Sequence, residues 1–388
     1  MPCIILTKIA NMGNLMKDAL FFHRTDYAQK LLNSLKDGIT HAVTLFAPRR
    51  MGKTQFLLQD IAPLAEQQGF NVFYFSFMDS HHPISDFQSA LYQFAQNIQA
   101  GNKAKTFLSG ISKIDILGIG LEREIASNEA PRLSDIIAVI ASDNRPSLLL
   151  LDEVQELARL SDAKGLIRSL RTGLDVHQYQ IKTIFTGSST NGLRAMFNDN
   201  KAPFFHFAHA LDFPLLGQEF TDFLAEIYYE RTGKPINTAA LFELFQSLHH
   251  TPMYLRAIIQ DMIINPSISL REAAEKRMAQ LGEQDREAGQ WQQMKALEKA
   301  IIRDIAKGIE VNLYSQENRQ KYAALLGVGH VGNSSVQGAI RRMERHDWIS
   351  RDAGGKWIVN NPLLATWIRE NSASCADCAD CDSLLTSK

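Results

Sequence analysis

One run of residues limits the fold of this chain more than any other. The apolar residues 42–46 break at once into Ala47-Pro48-Arg49-Arg50-Met51-Gly52-Lys53-Thr54, and Gln55-Phe56-Leu57-Leu58 opens a helix that reaches Gln67. A buried strand, a glycine-lysine-threonine turn and a helix in direct succession match the pattern GxxxxGK[ST], with Ala47 where the first glycine stands. The residue types are those that a phosphate group requires. Backbone N–H groups of the turn and the helix N-terminus face an anion. Gly52 lets the backbone approach closely, Lys53 reaches the terminal phosphates, and Thr54 offers a hydroxyl to Mg²⁺. Pro48, Arg49, Arg50, Met51, Gly52, Lys53, Thr54 and Gln55 are the expected contacts of a bound nucleotide, with ATP and Mg²⁺ as cofactors.

The second half of such a site is an acidic residue ending another buried strand. Ser147-Leu148-Leu149-Leu150-Leu151-Asp152-Glu153 supplies it, since four consecutive leucines suit a strand covered on both faces. Asp152 is expected to hold the Mg²⁺ shell, and Glu153 to polarise a water for attack on the γ-phosphate. A further strand at 182–186 ends in Gly187-Ser188-Ser189-Thr190-Asn191. Ser188 is the residue there expected to touch the γ-phosphate or the attacking water. With 71–77 and 205–213 these strands alternate with helical stretches from about 39 to 213, the signature of a parallel sheet with crossover helices. Residues 111–122 have partial alternation and read as a small inserted hairpin.

After Pro214 only helices are expected. Phe220, Phe223, Leu224, Ile227 and Tyr228 recur along one helical face, and further helices fit 239–248 and 253–263. Residues 280–293 read as a polar linker helix or loop. From Met294 three helices are expected, at 294–307, at 317–325, and from a capping cluster Asn333-Ser334-Ser335 to about His346. A hairpin over 348–359 follows, with Gly354-Gly355 at its tip. Three helices and a hairpin form a winged-helix plan. At about 100° per residue the third helix puts Val336, Ala339, Ile340 and Met343 on a core stripe. Ser334, Gln337, Gly338, Arg341, Arg342 and Arg345 fall opposite. Gln337, Arg341, Arg342, Arg345 and, on the wing, Lys356 are the expected contacts of double-stranded DNA.

Composition removes several function classes. Over 388 residues, hydrophobic residues at 45% and charged residues at 21% suit a globular chain of two or three domains, not a disordered one. With 41 Lys+Arg against 42 Asp+Glu the chain is not a uniformly basic nucleic-acid coat. The basic excess is local, for residues 292–370 carry twelve basic and eight acidic side chains. No apolar run approaches the ~18 residues of a membrane span, and the apolar start is too short for a signal peptide. A cytoplasmic protein with no membrane partner is expected. Cys3, Cys375, Cys378 and Cys381 make no disulfide framework. The tail's CxxCxxC lacks a nearby fourth cysteine, so no structural metal is assigned.

The expected organisation is an N-terminal extension (1–20), an α/β P-loop core (21–214), a helical lid (215–280), a linker (281–293), a winged-helix domain (294–370) and a cysteine-containing disordered tail (371–388). The turn at 48–54, the leucine strand with Asp152-Glu153 and the Thr186-Gly187-Ser188-Ser189 strand end together resemble the archaeal-type ATPases, a branch of the AAA+-like and STAND NTPases related to origin-recognition ATPases. Phe21-Phe22-His23-Arg24 is similar to that family's adenine-covering Phe-x-x-Arg segment, which implies that Phe22 and Arg24 flank the base. His250-Thr251-Pro252-Met253-Tyr254-Leu255-Arg256 is similar to its lid motif, with His250 for a usual glycine, and makes Arg256 a candidate second sensor. The family's arginine after a proline has no counterpart in Pro203-Phe204-Phe205-His206-Phe207. The resemblance implies a Mg²⁺-dependent, ATP-hydrolysing switch acting on DNA through its winged helix. A STAND-like signalling ATPase, or a nucleotide-binding adaptor whose winged helix contacts protein, is the alternative, and a homo-oligomer or partner protein is left open.

Overall fold

The computed structural model describes residues 18–79, 82–102, 132–160, 163–187, 196–197, 204, 206–283, 286–307, 312–351 and 355–373. The expected hairpin at 111–122, Ser188, Pro203 and the cysteine tail lie outside the described residues. The chain divides into two compact units, Met1–Pro214 and Leu215–Lys388.

In the first unit, helix α1 (Thr25–Lys36) precedes β1 (Ala42–Phe46). Helix α2 follows the turn, with an α-helical first turn Lys53–Phe56, a π-helical stretch Leu57–Ile61, and α-helix again over Ala62–Gln67. Then come β2 (Asn71–Ser76), α3 (Pro83–Asn102), α4 (Leu133–Ala141), β3 (Ser147–Asp152), a 3₁₀ turn Val154–Arg159, α5 (Ala163–Val176), β4 (Ile181–Gly187) and β5 (His209–Asp212). The last strand is shorter than the expected 205–213.

All five strands are parallel, in the order β2-β3-β4-β1-β5. β4 therefore lies between the strand that feeds the turn and the strand that ends in Asp152. Both faces of the sheet are covered, which is why β3 reads as an unbroken apolar run. Leu148 and Leu150 join Val43, Leu45 and Ile184 against Leu32, Leu35, Phe56 and Ile61 of α1 and α2. Leu149 and Leu151 join Phe73, Phe75 and Phe185 against α3, α4 and α5. The four leucines are 0% exposed. Helices α4 and α5 meet closely at Gly173, where an added Cβ would stand 2.7 Å from Ile137 Cδ1.

The second unit begins with helices α6 (Gln218–Thr232), α7 (Thr238–Ser247), α8 (Pro252–Ile264), α9 (Leu270–Glu283) and α10 (Arg286–Gln293). The stretch read as a linker is thus helical in two pieces, and its Trp291 is a core residue of the module that follows. That module comprises α11 (Ala296–Ala306), α12 (Gln316–Leu325), α13 (Asn333–Arg345), the antiparallel pair β6 (Ile349–Arg351) and β7 (Trp357–Val359), and α14 (Pro362–Ala373). Val336, Ile340 and Met343 of α13 pack with Ile301, Ile302, Tyr322, Trp348 and Leu364. One local expectation fails. The Asn333-Ser334-Ser335 cluster does not cap α13; the capping position is Gly332, with no side-chain cap bond, and Asn333 is already helical. Among the described residues no helix is long and apolar enough to cross a membrane.

Because β3 is enclosed on both sides, Leu150→Ala is expected to lower unfolding free energy by about 2–5 kcal/mol through lost transfer energy and a residual cavity. A urea titration reads this as a lower midpoint with an unchanged slope.

Candidate nucleotide site

The turn after β1 is shaped by two left-handed residues, Arg50 at φ 71° and Gly52 at φ 88°. A Cβ on Gly52 would meet nothing within 4 Å, so the glycine is there for its backbone conformation, not for space. Arg50 holds the same region without that freedom, at a cost of roughly 1–3 kcal/mol that the rest of the fold offsets. Ala47 is not among the residues with positive φ, so alanine fits where the general pattern has glycine. The turn delivers the chain into α2 with Lys53 as the first helical residue. Lys53 is 5% exposed, and its Nζ donates to the carbonyl oxygens of Ala47 and Pro48, each at 2.8 Å. The ammonium is thereby held at the concave side of the turn. Met51 is buried, Arg49 and Gln55 are exposed, and Gln55 Oε1 accepts from Gln59 one helical turn on.

Asp152 is the centre of a polar cluster built from three elements. It is 1% exposed at the end of β3. Thr54 Oγ1, one residue after Lys53, donates to Asp152 Oδ2 at 2.6 Å, and the Tyr74 hydroxyl of β2 donates to the same oxygen at 3.3 Å. Oδ1 accepts from the Thr186 hydroxyl of β4 and from the Glu153 backbone N–H at 3.1 Å. Burial, and then the neighbouring Asp152 carboxylate, push the Tyr74 phenol well above its ordinary range, so it remains a donor. The sequence pairs Thr54 with Asp152 by motif alone; nothing local marks Tyr74 or Thr186. Glu153 caps the following 3₁₀ turn in a left-handed conformation, φ 55° and ψ 39°, and its carboxylate accepts from Gln155 Nε2. Ser188 lies outside the described residues.

The segment before α1 is tied to α2 and to the chain near Pro214. Arg24 lies over the Phe213 ring at 4.2 Å and donates to the carbonyl oxygens of Pro214 and, at 3.4 Å, Met51. Burial draws its guanidinium down from 12.5 to about 10, with Asp60 opposing, which leaves it a cation at neutral pH. Phe22 is half-buried. Asp60, in the π-helical stretch, accepts from the Arg24 backbone N–H at 3.1 Å and lies 2.7 Å from His23 Nδ1. No periodicity in the sequence marks this anchor, because a π-helical turn displaces the register that a regular helix would keep.

The remaining candidates are in the second unit. Arg256 is half-buried on α8. Gln337, Arg341 and Arg345 are exposed along one side of α13, and Lys356 is exposed on the hairpin. Arg342 was expected with them, but its guanidinium turns into the module. It pairs with the buried Glu298 at 3.3 Å and donates to the Gln293 carbonyl oxygen at 3.2 Å. Arg351 of β6, which sequence reasoning did not single out, lies over the Trp357 ring at 4.4 Å and donates to the Gly355 carbonyl oxygen at 3.2 Å. Among the described residues no group of three or more His, Cys, Asp or Glu converges as a metal cluster.

No family model matches the chain, and no curated protein matches it. Solved structures do. The Walker-type ATPase of Pyrococcus abyssi aligns with 90% of this chain and 96% of its own, at 18% identity and a TM-score of 0.63. The ORC2 protein of Aeropyrum pernix in its ADP form covers 94% of this chain and 97% of its own, at 17% identity and a TM-score of 0.54. The same protein in ADPNP-ADP complexes gives 17% identity and 0.52, over 90% and 93% of the two chains. At these identities the likeness is one of fold, and the chain has the α/β fold of a P-loop ATPase that these archaeal proteins share.

Proposed function

We propose that the chain binds ATP with Mg²⁺ and hydrolyses it, and that the second unit's C-terminal module acts as a winged helix on double-stranded DNA. The observation that carries the first part is the 2.6 Å contact between Thr54, the residue after Lys53, and Asp152, 98 positions on. A hydroxyl and a carboxylate are hard oxygen donors, the set that suits Mg²⁺ with bound phosphates. Thr54 and Asp152 would hold that ion, which would neutralise charge at the β- and γ-phosphates. Lys53 and the N–H groups of the turn would bind the phosphates themselves. Glu153, adjacent to Asp152, would orient and deprotonate the attacking water. Phe22 and Arg24 remain the proposed base-side contacts, Ser188 the proposed γ-phosphate sensor and Arg256 the proposed second sensor.

The DNA reading rests on the exposed Gln337, Arg341 and Arg345 along one side of α13, with Lys356 on the wing. Arg342 is left out of that face, because its guanidinium is engaged with Glu298. The second reading, a module that contacts protein, is favoured by the exposed Leu325 and Val328 just before α13, 59% and 48% accessible.

Three variants test these readings. Lys53→Ala is expected to lose binding of a fluorescent ATP analogue, and wild-type affinity in that variant would overturn the phosphate site. Glu153→Gln is expected to bind ATP while its single-turnover hydrolysis falls by roughly 10²–10⁴, since an amide cannot accept the proton. Arg341→Ala/Arg345→Ala is expected to weaken duplex binding and to reduce the salt slope by roughly one for each arginine. Its stability should stay within about 0.5 kcal/mol of wild type. Parallel salt slopes, or no duplex binding by the wild type at low salt, would favour the protein-contacting module.

A further inference from the structure

We propose that Tyr74 and Thr186 are positioning residues that fix the Asp152 carboxylate for a divalent cation held with Thr54. The inference rests on the nucleotide reading above and goes beyond its motif, for neither residue belongs to the turn or to the acidic strand. The outer torsion of an aspartate is broad, so a carboxylate at a strand end is free to swing unless something restrains it. Here each oxygen is restrained from a flanking strand. Oδ1 takes the Thr186 hydroxyl from β4, and Oδ2 takes the Tyr74 hydroxyl from β2.

The sheet register makes this arrangement necessary. Asp152 pairs with Ser76, so Tyr74, two residues earlier on β2, projects to the same face as Asp152. Leu151 pairs with Phe185, which sets Thr186 beside Asp152 on that face as well. Thr186 is 0% exposed, so its hydroxyl has no water to turn to. The cation's position depends on the distance between the Thr54 oxygen and the carboxylate. Thr54 is placed by the helix start, and Asp152 by the two strand hydroxyls. Partners of this kind around metal ligands set ligand orientation, and their removal costs affinity for the metal rather than for the rest of the ligand.

The test uses the full chain and a fluorescent ADP analogue, titrated in EDTA and across a Mg²⁺ series, with Mn²⁺ spin resonance on the nucleotide-bound protein as a second reading of the cation. Thr186→Val is expected to raise the cation concentration for half-maximal effect by roughly tenfold, and Tyr74→Phe to raise it less. Affinity in EDTA should stay within about twofold of wild type for both, because the two hydroxyls orient a cation ligand and neither belongs to the turn proposed to bind the phosphates. Thr186→Ser, which keeps the hydroxyl, should restore the wild-type midpoint. An unchanged Mg²⁺ midpoint in both variants would overturn the inference. So would an affinity loss of equal size in EDTA and in Mg²⁺, which marks a scaffold role only. If Thr186→Val does not fold, Tyr74→Phe, at a half-buried position, decides the question alone. Nucleotide binding by the wild type with these variants unaffected would leave the site reading standing and this inference overturned. No binding by the wild type would overturn both.

Discussion

The Asp152 carboxylate has almost no access to water, and a polar group in that position is stable only when its oxygens are met by donors. Four donors meet it: Thr54 from the helix after β1, Tyr74 from β2, Thr186 from β4, and the N–H of Glu153. Three of these come from segments remote in sequence. A slip of one residue between β3 and either neighbour would send Tyr74 or Thr186 to the opposite face of the sheet and take one of these donors from the carboxylate. The apolar packing of the sheet and the polar cluster at its end therefore depend on one another. The leucines hold the strands in register, and the register completes the cluster.

The same economy of elements shapes the rest of the first unit. Helix α2 carries Lys53 and Thr54 at its start, and buries Phe56, Leu57 and Ile61 against the sheet. Its π-helical stretch also carries the buried Asp60, which holds the Phe22–Arg24 segment through the Arg24 N–H and His23. One helix thus fixes the turn, packs on the sheet and anchors the preceding segment. Short π-helical insertions recur at functional sites for this reason, since an extra residue re-aims a side chain without breaking the helix.

In the C-terminal module another buried carboxylate plays a comparable part. Glu298 is 2% exposed, accepts from the Lys295 N–H at 2.8 Å, and pairs with Arg342. That contact separates the arginines of α13 by role. Arg341 and Arg345 are one turn apart and stay in water, whereas Arg342, about 100° around the helix, ties α13 to α11. Removing one partner of such a pair leaves the other buried and uncompensated, so Arg342 belongs to the module's stability.

Much of the fold was legible in the chain itself, because its signals are local. Strand–turn–helix succession marks the turn at Gly52-Lys53-Thr54, four leucines mark a strand enclosed on both faces, and a 3.6-residue period marks the core stripe of α13. What stayed hidden depends on which strands lie side by side. Tyr74 looks like one more aromatic residue of a strand, and Thr186 like a β-branched residue favoured there. The caps and pairs that failed or were missed, at Asn333, Arg342, Asp60 and Arg351, follow from orientation and from partners far along the chain. Residue order thus determined the elements and the glycine-lysine-threonine turn between β1 and α2. Tertiary structure alone decided which hydroxyls reach Asp152, which arginine pairs with Glu298 and which remain exposed, because those outcomes rest on strand register and helix rotation that no short segment contains.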